Sequence, residues 1–371
     1  MSLFHGYGPF FQTALVQGLR NFIILYDDYY GCRFYNMYRK KIVDAIKNIK
    51  RIAVQKFVIG LRGHEAKCIR DRVDKLFDHS VCGGKCNRGI LLVTAYKALG
   101  GQQNEERLEM VTNTAACLEL LQSFFLIEDD IVDEGISRRG KPCWHRLEGI
   151  GINGINDGLL LDCMVSYILC NNRVPVAVRD AFDEARRVTI LGQIFDSDTK
   201  NFEDCTWQRY RIITQYKTSH YTYFTPLQIA ALLTAQPLII EPLKRIAYQL
   251  GYLFQSEDDY MDCFGDKSIM GKVGNDLMGA KCTWVTCKAM EKLANQPSFL
   301  MDFREHFGKR SIISEQKLKD ILAYLRVADD FPLFRERCAV RILSNIDQFP
   351  MIDIRPALRK SVDDLVNANF Q

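Results

Sequence analysis

Apolar residues recur every three or four positions through most of this chain, so helices are expected nearly throughout. Residues 42–59 place Ile42, Ile46, Ile49, Ala53 and Phe57 on one stripe beneath a Lys- and Arg-rich face. That basic face reads as solvated, with a membrane-surface helix as the competing reading. A second helical pattern over 88–99 stops at Gly100-Gly101. Residues 104–133 carry the pattern for about eight turns. Further helices are expected over 155–171, 175–195, 206–235, 241–264 and 281–294, with Pro175, Pro226, Pro237 and Pro242 marking starts or kinks. No segment alternates over five residues and closes in hairpin chemistry, so strands should be nearly absent. Nothing rich in Pro, Gly or Ser divides the chain. The expectation is all-α: one large helical domain, in which an N-terminal helical region (1–75) packs with a core and C-terminal helices (76–371).

Composition narrows the class. The 371 residues carry 49 Lys+Arg against 45 Asp+Glu, a net charge of +4, with 25% charged and 47% hydrophobic residues. That excludes a disordered chain, and the near-balance argues against a nucleic-acid binder. Thirteen cysteines, an odd count in a chain able to build its own core, read as reduced and core-filling. The expected compartment is therefore reducing and cytoplasmic. Cys82 and Cys86 have a spacing that a metal could use, but no second pair or histidine follows at structural-zinc spacing. The segment PLQIAALLTAQPLII, broken by two glutamines and Pro237, reads as a kinked buried helix, so no transmembrane segment is expected.

Two acidic stretches break this picture. Asp129, Asp130 and Asp133 form one DDxxD, and Asp258, Asp259 and Asp262 form another. On a helix the first and last aspartate of each lie one turn apart on one face, where like charges repel. Apolar sequence, QSFFLI and QLGYLF, precedes both, which puts each cluster at the end of a buried helix. Carboxylates at the mouth of a core call for a hard dication, and Mg2+ takes one or two carboxylates with waters and substrate phosphate oxygens. Basic residues suited to phosphate lie close by: Arg138 and Arg139, Lys272 in GKVG, Lys281, Lys85 and Arg88 in GGKCNRG, and Lys217 in YKTSHYTYFTP.

In the order GGKxNRG, LQxFFLxxDDxxDxxxxRRGxxCW, GQxxD, YKTxxYTxxxP and FQxxDDYxDxFGDxxxxGKxGxD, these motifs resemble the trans-isoprenyl diphosphate synthases, and among them the farnesyl diphosphate synthases, from about residue 83 to about 290. The resemblance implies the isoprenoid synthase fold, about ten core helices around a central cavity, in a homodimer. It implies a prenyltransferase of isoprenoid and lipid metabolism that condenses dimethylallyl or geranyl diphosphate with isopentenyl diphosphate, head to tail. Three Mg2+, replaceable by Mn2+, would be held chiefly by Asp129, Asp133 and Asp258, with Asp130, Asp259 and Asp262 nearby. Arg138, Lys217 and Lys272 would hold the allylic diphosphate, with Lys281 beyond. Lys85, Arg88, Gln122 and Arg139 would form a metal-free isopentenyl diphosphate site. Thr218, Gln255 and the Lys217 carbonyl would lie near the allylic cation with Tyr221 close by, and Gln193 and Asp196 would stand on the cavity wall.

Three departures from the pattern matter. Glu128 precedes Asp129 where an apolar or small residue is usual, and its simplest placement turns it away from the cleft. The chain ends SVDDLVNANFQ instead of in a basic tail, which leaves closure of the isopentenyl diphosphate site unexplained. The aromatic and basic N-terminal region matches nothing in the pattern. Phe125 and Phe124 stand four and five residues before Asp129, at the depth where a growing prenyl chain would meet a floor. The resemblance associates phenylalanine there with arrest at C15, so farnesyl diphosphate is the expected product. A C20 or mixed C15/C20 product is the alternative, and a non-catalytic subunit of a prenyltransferase complex is the alternative of another class.

Overall fold

The stripe read from 42–59 becomes α1 (residues 35–57), and Ile42, Ile46, Ile49 and Ala53 on it are fully buried in the main core. The stripe is thus filled by the protein's own core, with its lysines and arginines on the outer side. The computed structural model describes residues 35–265, 274 and 276–367. After α2 (Gly63–Leu76) and a π turn at Phe77–Val81 come α3 (Asn87–Ala98) and the long α4 (Glu105–Val132). The Asn104 side chain caps α4 by accepting from Arg107 N–H at 2.9 Å, and Glu105 and Glu106 suit the positive end of its dipole. By length and composition α4 could cross a membrane, which differs from the sequence expectation, yet most of its surface is buried among neighbouring helices.

Around α4 stand α5 (Gly154–Asn171) and α6 (Val176–Ser197), then α7 (Trp207–Ile213), α8 (Thr225–Leu233) and α9 (Ile240–Phe264). The C-terminal helices are α10 (Trp284–Leu293), α11 (Pro297–His306), α12 (Ile312–Tyr324), α13 (Phe331–Asp347) and α14 (Arg355–Val366). A smaller core of Trp284, Phe303, Leu318 and Leu322 sits among the helices from α7 to α12, with Tyr252, Tyr260 and Phe264 of α9 packed against it and Phe334 of α13 packed against both cores. Among the described residues the only strands are Ser137–Arg138 and Lys141–Pro142, an antiparallel pair. Arg139 and Gly140 turn between them at φ 54° and 72°, the positive values that a tight hairpin requires.

One expected helix is divided. Residues 206–235 form α7, then an eleven-residue π segment, Thr214–Phe224, then α8. Two glycines on neighbouring helices explain where the segment can sit. A Cβ on Gly192 of α6 would lie 2.1 Å from Lys217 N, and one on Gly251 of α9 would lie 2.4 Å from Ser219 Cα. The backbone is pressed between α6 and α9 at these points. Ser219 Oγ donates to Thr214 O and Thr225 Oγ1 donates to His220 O, each five residues back, which suits the wider turn.

Candidate active site

The two acidic motifs end two helices. Asp133 is the C-terminal cap of α4, and Asp258, Asp259 and Asp262 occupy the last turns of α9. Carboxylates at the negative end of a helix dipole are unfavourable without cations beside them. At the end of α4 the structure supplies those cations from other elements. Lys217 Nζ, on the π segment, lies 2.9 Å from Asp129 Oδ1 and 2.6 Å from Asp196 Oδ2. Lys281 Nζ lies 2.7 Å from Asp196 and 2.6 Å from Asp133. Arg138, carried out of the hairpin, grips Asp130 through Nε at 2.9 Å and Nη2 at 2.7 Å, and reaches Asp129 at 3.5 Å.

Electrostatics separates these groups. Burial pushes the Asp129 carboxyl up, but Lys217, Arg138 and Lys281 outweigh it and hold the group well below the ordinary carboxylate range. Asp133 is raised, first by burial and then by the Asp129 charge. Asp259 is pushed up to about 7 by burial. It accepts from Gln255 Nε2 at 2.8 Å and from the Trp284 backbone N–H at 2.9 Å. Gln255 Oε1 in turn accepts from Thr218 Oγ1 at 2.5 Å.

A cavity of about 520 Å3 is lined by Asp129, Asp133, Asp258 and Asp262 together with Arg138, Lys217 and Lys281. Phe124 and Phe125, with ring centroids 5.0 Å apart, line its deeper part, and Tyr221 stands 5.2 Å from Phe125, edge to face. Gln122 Oε1 and Gln193 Nε2, both on residues lining this cavity, are buried with no protein partner. Arg88 donates to Tyr221 Oη at 3.0 Å and Thr222 Oγ1 at 2.8 Å, and its Nε has no partner. A second cavity, about 1070 Å3, adjoins the first, with Arg88, Phe254 and Asp258 lining both. Lys85 lies there. Arg139 lies against Gly84, 3.4 Å from the position of a Cβ, and burial lowers its guanidinium. Lys272 lies outside the described residues.

Some of the site was not visible in the sequence. Asp196, expected on the wall, sits buried between two ammonium groups, and they hold it below the usual range against the upward push of burial. Lys360 and Asp364 of α14 line the second cavity, so this helix contributes a cation there. No motif signalled that contribution. Glu128 does not turn away. It lines the first cavity near Phe124, Oε1 has no partner, and burial pushes its carboxyl up to about 7. Gly158 of α5 makes this possible, since a Cβ there would meet Glu128 Oε1.

A helical bundle around a cavity with two acidic helix ends facing a set of cations defines the class, the isoprenoid synthase fold. Residues 70–325 match the polyprenyl synthetase family. The chain is 32% identical to the farnesyl pyrophosphate synthase of Zea mays over 302 residues, 78% of this chain and 86% of that protein. It is 33% identical to the farnesyl pyrophosphate synthase of Artemisia annua over 301 residues, 78% of this chain and 87% of that one. The T. brucei farnesyl diphosphate synthase complexed with risedronate has the same fold, with a TM-score of 0.80 at 23% identity, over 90% of this chain and 99% of that one. The chain belongs to the polyprenyl synthetase family.

Proposed function

We propose that this protein condenses dimethylallyl or geranyl diphosphate with isopentenyl diphosphate, head to tail, and releases mainly farnesyl diphosphate. The observation that carries the reading is the pair of adjoining cavities. One gathers carboxylates, cations and a floor of phenylalanines; the other presents Lys85, Arg88 and Lys360. The relatives in maize and Artemisia, named as farnesyl pyrophosphate synthases, support it.

The donor set suits Mg2+. Asp129, Asp133 and Asp258 offer hard oxygen ligands from two walls of one cavity, with Asp130, Asp259 and Asp262 nearby. Among the described residues no three acidic, His or Cys groups converge to hold an ion by themselves. Mg2+ ordinarily completes its shell with water and substrate phosphate, so sparse carboxylates fit it. Three ions are expected, with Mn2+ able to replace them; when bound, they supply positive charge that stabilises the departing pyrophosphate.

The other roles belong to the chain. Lys217, Arg138 and Lys272 grip the allylic diphosphate, and Lys217 exchanges a carboxylate partner for a phosphate oxygen as substrate enters. The carbon–oxygen bond breaks and its electron pair leaves with the pyrophosphate. Thr218 Oγ1, Gln255 Oε1 and the Lys217 carbonyl face the allylic cation with their negative ends. The isopentenyl double bond attacks that cation, and the released pyrophosphate accepts the proton lost from the adduct. Lys85, Arg88, Gln122 and Arg139 hold the isopentenyl diphosphate, and the buried aromatic walls exclude water that would quench the cation.

The protein works as a homodimer in the cytoplasm. Leu159, Ile190 and Ile194 on α5 and α6 are about half exposed beside the first cavity, so a second copy would complete that wall. The described cysteines are all free thiols, which suits a reducing compartment. Helix α1 packs as part of the catalytic unit, with Arg39 Nη2 donating to Gly84 O at 3.1 Å. The test is chromatography of dephosphorylated products formed from dimethylallyl and geranyl diphosphate with isopentenyl diphosphate and Mg2+. A C15 alcohol is expected, and failure to form any condensation product would overturn the reading.

A further inference from the structure

A concavity of about 900 Å3 lies beside the N-terminal half of α9, outside both cavities already described. It opens between α7, α9, α10 and α13. Its floor is aromatic. The rings of Trp207 and Trp284 meet at 6.5 Å, Trp284 and Phe334 at 5.3 Å, and Phe334 and Tyr252 at 6.0 Å. Its rim is cationic, formed by Arg211, Arg245, Arg337 and Arg341 with Lys288. Among the described residues Asp330 is the one carboxylate lining it, and that group is engaged by Lys292 at 2.8 Å and by Lys288 of the rim at 3.8 Å. Among the described residues no carboxylate pairs with any of the four arginines.

Four guanidinium groups around one hollow repel one another, and among the described residues no carboxylate pairs with them directly. A bound polyanion would. Guanidinium forks match phosphate oxygens in bidentate fashion, and the half-buried rings of Trp207, Tyr252 and Phe334, backed by the fully buried Trp284, would take a flat ring. Among the described residues Leu333 is the only aliphatic side chain in the lining, so a prenyl tail finds little there. Polar heads are present instead. Gln215 lies on the wall, and Gln249, whose Oε1 accepts from Asn345 Nδ2 at 2.9 Å, keeps its amide N–H groups for another acceptor. These suit the heteroatoms of a base.

We propose that this hollow is a binding site for a nucleoside polyphosphate, with the base on the aromatic floor and the phosphates among Arg211, Arg245, Arg337 and Arg341. The site is separate from the prenyl condensation, and none of its arginines serves that reaction. Trp284 is a poor place to test it, because its backbone N–H also holds Asp259.

The experiment is calorimetric titration of the full chain with ATP in metal-free buffer, repeated with inorganic tripolyphosphate and in the presence of saturating geranyl diphosphate. One ATP per chain is expected, with an affinity that geranyl diphosphate leaves within about twofold and tripolyphosphate at least about tenfold weaker. The double variant Arg337→Glu with Arg341→Glu should weaken ATP at least about tenfold while kcat for condensation stays within about twofold. If that variant fails to fold, Arg245→Gln on α9 should weaken ATP by about threefold or more. No saturable binding by about 10 mM ATP would overturn the proposal. So would displacement by geranyl diphosphate, equal binding of tripolyphosphate, or undiminished binding by the folded variants.

Discussion

Lys217 Nζ lies 2.9 Å from Asp129 Oδ1, across 88 residues of sequence, and joins the π segment to the end of α4. The ammonium is buried, and Asp129 and Asp196 hold it charged well above the ordinary lysine range although burial alone would lower it. The ion pair therefore keeps two groups of the proposed chemistry charged and in place before substrate arrives.

The proposed metal dependence follows from the same carboxylates. Activity should vanish on chelation and return with Mg2+ or Mn2+. Asp129→Ala or Asp258→Ala should lower kcat by at least about 100-fold, the size expected for losing a group that stabilises transition-state charge. Steady-state assays decide it, and wild-type turnover in either variant would sink the assignment.

The two cavities should separate in kinetics. Lys85 belongs to the second cavity and Arg139 lies against the loop that carries it, so Lys85→Ala and Arg139→Ala should raise KM for isopentenyl diphosphate more than for geranyl diphosphate. Lys272→Ala should show the opposite bias. Equal shifts of both constants in all three variants would show that the roles are wrongly divided.

The helices and the acidic motifs were legible because both are local. A stripe such as Ile42, Ile46 and Ile49 needs only helical spacing, and two DDxxD clusters after apolar runs point to buried helix ends. What the sequence hid depends on partners far along the chain. Nothing within 206–235 reports that Gly192 and Gly251 press on Lys217 and Ser219, so α and π turns there share one apolar pattern. The GQxxD motif places Asp196 on the cavity wall, but nothing local reports that Lys217 and Lys281 converge on it. Glu128 reads as solvated until Gly158 is seen to leave room for it inside. Lys360 reaches the second cavity only because α14 folds back over α3 and α9.

The close approach at Gly192 can be tested directly. Gly192→Ala would place a Cβ on the Lys217 backbone nitrogen, and backbone cannot rotate out of the way. The variant should lose about 3 kcal/mol of stability, at the upper end of overpacking costs, and kcat should fall as Lys217 moves. Denaturant melts and turnover together check this, and no change in either would show that α6 and the π segment can part freely.

His220 should carry an acid-sensitive share of the stability. Its Nδ1 pairs with Tyr248 Oη at 2.9 Å, Nε2 is buried without a partner, and burial, then Lys244 and Arg187, depress its pKa to about 4. The unfolded chain takes up this proton near pH 6.5, so between there and about 4 it binds more protons than the folded chain. The His220 contribution to stability must therefore fall as pH drops through that window, by about 2 kcal/mol at pH 5, against the opposite contribution of the raised carboxyls of Glu128 and Asp259. His220→Gln should remove that share, read as a smaller difference in unfolding free energy between pH 7.5 and pH 5. An unchanged difference would assign the acid sensitivity elsewhere.

Product length turns on Phe124 and Phe125. Both line the cavity below Asp129, and Tyr221 closes on Phe125 from the side. A side chain one turn before Asp129 faces the same way as that carboxylate, so the pair stands where a lengthening chain would end. Phe124 also packs toward α5, where a Cβ on Gly158 would sit 3.3 Å from its Cδ2. Each added isoprene unit must displace packed side chains, and a close-packed wall yields only with strain. Wild type should therefore give mainly farnesyl diphosphate. Phe124→Ala with Phe125→Ser should open the floor toward α5 and shift product to C20 or longer with substantial activity retained. Chromatography of dephosphorylated products under excess isopentenyl diphosphate decides the matter. Mostly C20 from the wild type, or C15 from the double variant, would show that these rings do not set the limit.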